Sequence, residues 1–314
     1  MATRYLAVGM IFSMQTVGIL GNFSLLYHNL FIYFNGYRLR PTDLIINNLL
    51  VANTLVLFSS GIHFKMVCFG WYHHFSNGDF GCRFFPYLCG VGRGVSVGTT
   101  RLLSVFQAIT ISPMNSRWAG LKQKVPKYIV PLILLWWVLQ MLVNGIIPLY
   151  MSGNWSNKNI TKRKSWGFCS SLYGEETTNS LYAVLLTSPD VLCFVLMLWA
   201  SGSMVFILYR HKQRVRHIHT TPLSSRSSPE SRATKNIFLL VSTFVFFNTL
   251  SSVLFITVIA SNNTSLFLSD INVLIVLCFP TFIPFVIMTR DSTVSRFSFA
   301  WIRNVKSPNL MGNM

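Results

Sequence analysis

Charge is scarce along this chain. Only 11% of its 314 residues are Asp, Glu, Lys or Arg, where a soluble domain carries about 25%. Acidic residues are the rarest part: 8 Asp+Glu stand against 26 Lys+Arg, a net charge of +18. With 52% hydrophobic and 14% aromatic residues, the deficit argues against an ordinary cytosolic enzyme and against disorder. Catalytic patterns are missing too. No His/Glu metal spacing, nucleophile elbow or phosphate loop occurs. His73-His74 is an adjacent pair whose rings point apart, and His211, His217 and His219 sit in a basic loop. No repeat of about 20–50 residues is visible, so an inverted-repeat transporter gains no support. No small-residue cleavage site follows the first apolar run, so no cleavable signal peptide is expected. The sequence points to no enzyme, no cofactor and no metal.

What the chain does have is long runs free of charge. They cover residues 5–37 (33 residues), 44–64 (21), 128–157 (30), 191–209 (19), 236–269 (34) and 271–289 (19). A helix needs about 20 mostly apolar residues to cross the hydrocarbon core. The alternation of an outer-membrane barrel is absent. The basic excess would suggest nucleic acid in a soluble protein, but a mean hydropathy of +0.48 is too high for that. The class is a polytopic α-helical membrane protein.

A further apolar stretch, 84–113, is interrupted by Arg93 and Arg101. Counting it as a span places 17 Lys and Arg in loops on one side and 7 on the other. Lys and Arg collect on the cytoplasmic side, and the split is weaker if 84–113 does not cross. Seven spans are therefore expected, near 6–34, 43–67, 82–112, 127–150, 178–209, 232–260 and 268–289. The amino terminus is then outside, with a short inner tail over 290–314. In that tail Val294, Phe297, Trp301 and Val305 recur at helical spacing, which suits a helix lying on the inner leaflet.

This topology puts Cys82, at the outer mouth of span three, and Cys169, in the loop after span four, on one exterior face. A disulfide is permitted there. Cys68, Cys89, Cys193 and Cys278 read as small core residues. Sequons at Asn154, Asn159, Asn262 and Asn263 also fall outside, and Asn159, well into the longest outer loop, is the best candidate for glycosylation. Gly90, Gly94 and Gly98 lie four residues apart in span three, a spacing that lets backbones approach closely. Pro189 in span five and Pro280 and Pro284 in span seven should kink their helices.

Three charged residues fall within the spans. At 1.5 Å per residue, Arg93 lies roughly 16 Å below Cys82 and Asp190 roughly 18 Å below residue 178. The depths match, so a pair or a shared polar site is expected, because charges inside the bilayer pair or line cavities. Arg101, roughly 28 Å below Cys82, falls near the cytoplasmic mouth.

Several segments resemble the vomeronasal type-1 receptors, the mammalian pheromone receptor family of G protein-coupled receptors. They are GRGVSVGTTRLLSVFQAITISP (92–113), SPDVLCFVLMLWASGSMV (188–205), HKQRVRHIHTTPLSSRSSPESRAT (211–234), RLRPTDLI (38–45) and FPTFIPFV (279–286). The match runs through nearly the whole chain. Motifs of mainstream rhodopsin-like receptors are absent: no D-R-Y ends span three, no C-W-x-P lies in span six and no N-P-x-x-Y lies in span seven. Asn53 stands where those receptors have a sodium-binding Asp, and span seven has no Lys for retinal. Arg101 occupies a place where the resembled family usually has Cys.

The resemblance implies a seven-helix plasma-membrane chemoreceptor. A small lipophilic or volatile ligand would bind in the outer half of the bundle. The lining expected from depth is Phe85, Leu88, Cys89, Gly92, Arg93, Asp190, Phe255 and Asn272. The inner side, with Arg101, Arg210, Lys212, Arg214 and Arg216, would meet an inhibitory-class (Gi/Go) heterotrimeric G protein. The partners expected are the ligand, the G protein and the lipid bilayer, and nucleic acid is not one. A bitter-taste-type receptor is the nearest rival, and a channel or transporter the rival from another class.

Overall fold

The computed structural model describes residues 2–36, 40–69, 78–111, 119–152, 163–166, 169–172, 202, scattered positions between 242 and 254, and 266–290. Long helices dominate: α1 (Ala2–Phe34), α2 (Pro41–Phe69), α3 (Gly78–Ile111) and α4 (Ala119–Asn144), then the single turn α5 (Ile147–Tyr150). Three short strands follow, β1 (Met151–Ser152), β2 (Arg163–Trp166) and β3 (Cys169–Leu172), and the last described helix is α6 (Leu266–Arg290), in the seventh expected span. The described positions between 242 and 254 are helical. The fifth expected span lies outside the described residues apart from 202, as does the tail beyond 290.

The helix ends follow from local chemistry. At the end of α1, Gly36 takes φ 85°, a conformation that costs glycine little. Its N–H donates to the Tyr33 carbonyl at 3.1 Å. α2 opens with Pro41, whose missing N–H is no loss in a first turn. Asp43 then accepts from the Arg40 backbone N–H at 3.0 Å, half of a capping box. The fourth expected span, 127–150, is divided at the Gly145-Ile146 turn, where the Gly145 N–H reaches the Leu142 carbonyl at 3.2 Å.

α2 is the central element and packs on α1, α3, α4 and α6, while α6 also lies along α1. One buried cluster joins Leu25 of α1, Leu49 and Leu50 of α2, Leu103 and Phe106 of α3 and Ile283 of α6. A second, toward the other end, joins Ile11, Leu57, Phe64 and Leu277. Outside these clusters the surface is apolar. Phe12, Leu20 and Phe31 of α1 and Leu134, Leu135 and Leu142 of α4 are exposed. Such a surface belongs in lipid, where apolar side chains meet apolar tails. Among the described residues, four helical stretches are long and apolar enough to cross a membrane: Leu6–Phe34, Pro41–Lys65, Lys124–Leu149 and Asp270–Met288.

The small-residue stripe of α3 is the seat of α4. A methyl on Gly90, Gly94 or Gly98 would collide with Asn144, Gln140 or Trp136 respectively. The backbones therefore approach closely, and the Trp136 indole N–H donates to the Gly94 carbonyl at 3.0 Å.

The three strands form an antiparallel sheet in the order β1-β3-β2, with Trp166 opposite Cys169 and Met151 opposite Ser171. β1 contacts α3, so the sheet holds the segment after α4 against the third helix. The sequence pattern leads one to expect a loop here and no strands.

Candidate functional site

Hydroxyl and amide side chains hold the bundle together at mid-depth, where water is not at hand to satisfy them. Thr54, Thr99, Thr100 and Ser104 each donate to the carbonyl four residues earlier. Between helices, the Asn48 amide donates to Thr99 Oγ1 at 2.6 Å, and the Trp137 indole donates to Asn48 Oδ1 at 2.8 Å. Ser96 donates to Asn53 Oδ1 at 2.6 Å, and Asn53 is fully buried. Among the described residues the Asn53 amide nitrogen has no hydrogen-bond partner.

Beside this pair lies a cavity of about 30 Å³ between α2, α3, the 242–254 segment and α6. Val56, Arg93, Ser96, Ser251, Phe279 and Pro280 are among its lining residues. Ser251 is 3% exposed, and its hydroxyl has no hydrogen-bond partner among the described residues. Phe247, also on the wall, stacks on Phe282 of α6 with ring centroids 6.2 Å apart. Apolar walls with a few converging polar groups are the usual make-up of a small-ligand site. This volume holds about two waters and no odorant-sized molecule.

The expected site residues distribute as follows. Arg93 lines the cavity. Cys89, one turn earlier, carries a free thiol 3.0 Å from the Ser60 hydroxyl of α2. Phe85 and Leu88 are half-buried on α3, and Phe85 meets Phe84 edge-on at 5.7 Å. Gly92 is buried against α2: a methyl there would lie 3.2 Å from the Ala52 carbonyl oxygen. Asn272 is half-buried on α6, and its side-chain oxygen lacks a partner among the described residues. Arg101 is half-buried on α3. Cys82 is fully buried and disulfide-bonded, and Cys169 begins β3. Asp190, Phe255, Asn159, Arg210, Lys212, Arg214 and Arg216 lie outside the described residues.

The cavity thus brings Arg93 together with Ser96 and Ser251, two serines that sequence reasoning passes over. A signal for Ser96 is present, since Asn48, Asn53, Ser96, Thr99 and Thr100 are polar groups inside spans. For Ser251, one of many hydroxyls in its run, there is none.

The profile of the vomeronasal organ pheromone receptor family matches residues 6–300. Human vomeronasal type-1 receptor 4 is 51% identical over 303 residues, covering 96% of this chain and 100% of that protein. Human vomeronasal type-1 receptor 2 is 52% identical over 280 residues, 89% of this chain and 70% of that protein. Mouse vomeronasal type-1 receptor 45 is 33% identical over 294 residues, 90% of this chain and 88% of that protein.

Proposed function

The chain belongs to the vomeronasal organ pheromone receptor family, and we propose that it binds a small lipophilic or volatile ligand in the outer half of its bundle and signals through an inhibitory-class (Gi/Go) G protein. It is a multi-pass plasma-membrane chemoreceptor of the seven-helix, G protein-coupled kind and not an enzyme. The observation that carries the reading is the family match across residues 6–300. Such a match takes in every span rather than a motif.

In this reading the ligand lies above the cavity, against Phe85, Leu88 and Cys89 of α3, with Phe255 and Asn272 closing the opposite wall. Gly92 contributes by letting α3 approach α2. Arg93 and Asp190 set the polar floor. A disulfide from Cys82 to Cys169 ties β3 to the head of α3 and fixes the roof, and Asn159 carries glycan beyond it. A ligand that fits one arrangement of the kinked helices better than another shifts the population toward it. Arg101 and the basic 210–216 segment then face the G protein.

The test is a cell-surface G protein activation screen against volatile and steroid libraries, with Arg101→Cys in parallel. A response abolished by pertussis toxin is expected, and the Arg101→Cys receptor should respond at least as strongly. A ligand-independent current from the purified protein in a planar bilayer would instead make it a channel.

A further inference from the structure

We propose that the inner end of α4 is a binding site for an anionic phospholipid of the cytoplasmic leaflet, with Lys124 and Lys127 on its headgroup. The charge is set up in the sequence. Arg117, Lys122, Lys124 and Lys127 cluster just ahead of the uncharged run that begins at residue 128. With the amino terminus outside and three crossings before it, α4 begins on the inner side. From residue 80 to residue 174 the chain has no Asp or Glu, and the inner acids of this topology are Asp43, Glu230 and Asp291, against 17 inner Lys and Arg. Wherever those three acids reach, most inner cations take their counter-ions from outside the chain. A group of Lys and Arg next to a span attracts the anionic lipids of this leaflet.

The structure fixes which side of α4 carries the charge. Lys124 and Lys127 are both exposed and lie one turn apart on one side of the helix. Tyr128, Leu134, Leu135 and Val138 are exposed as well and continue that side. The opposite side is the packed one: Ile129 is fully buried, and the indoles of Trp136 and Trp137 donate to Gly94 and Asn48. The two lysines therefore cap the stripe that meets lipid tails and stand away from the seam with α2 and α3. A molecule that touches both parts of the stripe has an anionic head and apolar tails. Its phosphate oxygens accept from the two ammonium groups and from the Tyr128 phenol, and its chains run along Leu134, Leu135 and Val138. A second copy of this chain fits the stripe worse, because in one membrane its own lysines would stand at the same depth and repel.

The experiment needs neither odorant nor G protein, so it stands apart from the assignment above. The full-length purified receptor in detergent micelles is titrated with phosphatidylserine or phosphatidylcholine, and the lipid it retains is counted by native mass spectrometry. Phosphatidylserine should be retained saturably and in preference to phosphatidylcholine. Each lysine near an anionic headgroup contributes about fivefold, so Lys124→Gln with Lys127→Gln should weaken retention about thirtyfold. Lys124→Arg with Lys127→Arg should restore it. Arg226→Gln with Arg232→Gln, which removes equal charge elsewhere on the inner side, should leave it unchanged. Soluble glycerophosphoserine should not displace the lipid, because it has no chains to lay on the stripe. Equal retention of the two lipids would overturn the proposal, as would full retention in the double glutamine variant. An equal loss in the Arg226/Arg232 control would reduce the effect to a diffuse attraction and overturn the site, and displacement by glycerophosphoserine would overturn the lipid as its occupant.

Discussion

The side-chain amide of Asn22 donates to the backbone carbonyl of Pro280 at 3.0 Å. Pro284 lies four residues further along α6 and has no N–H to return to that carbonyl. A proline in a helix buried in lipid leaves an acceptor that water cannot reach. Here α1 supplies the missing donor, and the same amide also donates to the Gly18 carbonyl at 2.7 Å. The Thr281 hydroxyl, which donates to the Leu277 carbonyl at 2.7 Å, also lies 3.2 Å from the Met14 carbonyl and can share its hydrogen with it. The Asn22 bond, with the Thr281 contact beside it, explains how a helix with two internal prolines seats against α1.

Asn22→Ala should therefore lower the melting temperature of the purified receptor, by an amount corresponding to about 1 kcal/mol. Asn22→Leu, which restores volume but not the donor, should be no better. An unchanged melting curve for both would mean that Pro280 needs no partner from α1.

The α3–α4 seam makes a sharper contrast between glycines. Gly94→Ala should press its methyl into Gln140 and Gly98→Ala into Trp136, and overpacking costs about 1–3 kcal/mol. Gly9 has nothing within 4 Å of an added methyl among the described residues, so Gly9→Ala should leave surface expression unchanged. Cell-surface immunolabelling of the three variants tests this. Equal expression would show that the seam relaxes freely.

How much of this is written in the sequence depends on which force shaped each part. The helices α1, α2, α4 and α6 are legible as runs without charge, because hydrocarbon admits little else. α3 is harder, since Arg93 and Arg101 interrupt it; only the sidedness of Lys and Arg reveals it. Gly92 illustrates what spacing leaves open. Glycines carry no side chain to mark a face, so nothing in the sequence tells that Gly90, Gly94 and Gly98 meet α4 while Gly92 meets the α2 backbone. The three-stranded sheet is also out of reach, because RKSW and CSSL lack an apolar alternation. The cavity depends on four separate segments converging, and no local pattern encodes that.

Cys82 is disulfide-bonded, and the pairing we assign with Cys169 gives a non-additive signature. Cys82→Ser and Cys169→Ser should each reduce surface expression strongly, and the double variant should be no worse than either single one. Non-reducing peptide mapping of the wild type should recover one peptide pair holding both residues. A reductant-independent migration of either peptide would sink the assignment.

The polar chain from α4 through α2 to α3 is open to a cleaner energetic test. Trp137 Nε1 donates to Asn48 Oδ1 at 2.8 Å, and the Asn48 amide donates to Thr99 Oγ1 at 2.6 Å. The Thr99 hydroxyl spends its own hydrogen on the Val95 carbonyl at 2.7 Å, so it keeps a partner when Asn48 is lost. Asn48→Leu thus strands only the indole N–H, and Trp137→Phe strands only one oxygen of Asn48. Each single variant should lose about 1 kcal/mol. The double variant strands neither group, so its loss should fall below the sum of the two. Melting temperatures of the four receptors complete the cycle. Strict additivity would show that the indole and the amide do not communicate, and that α4 is held to α2 by shape alone.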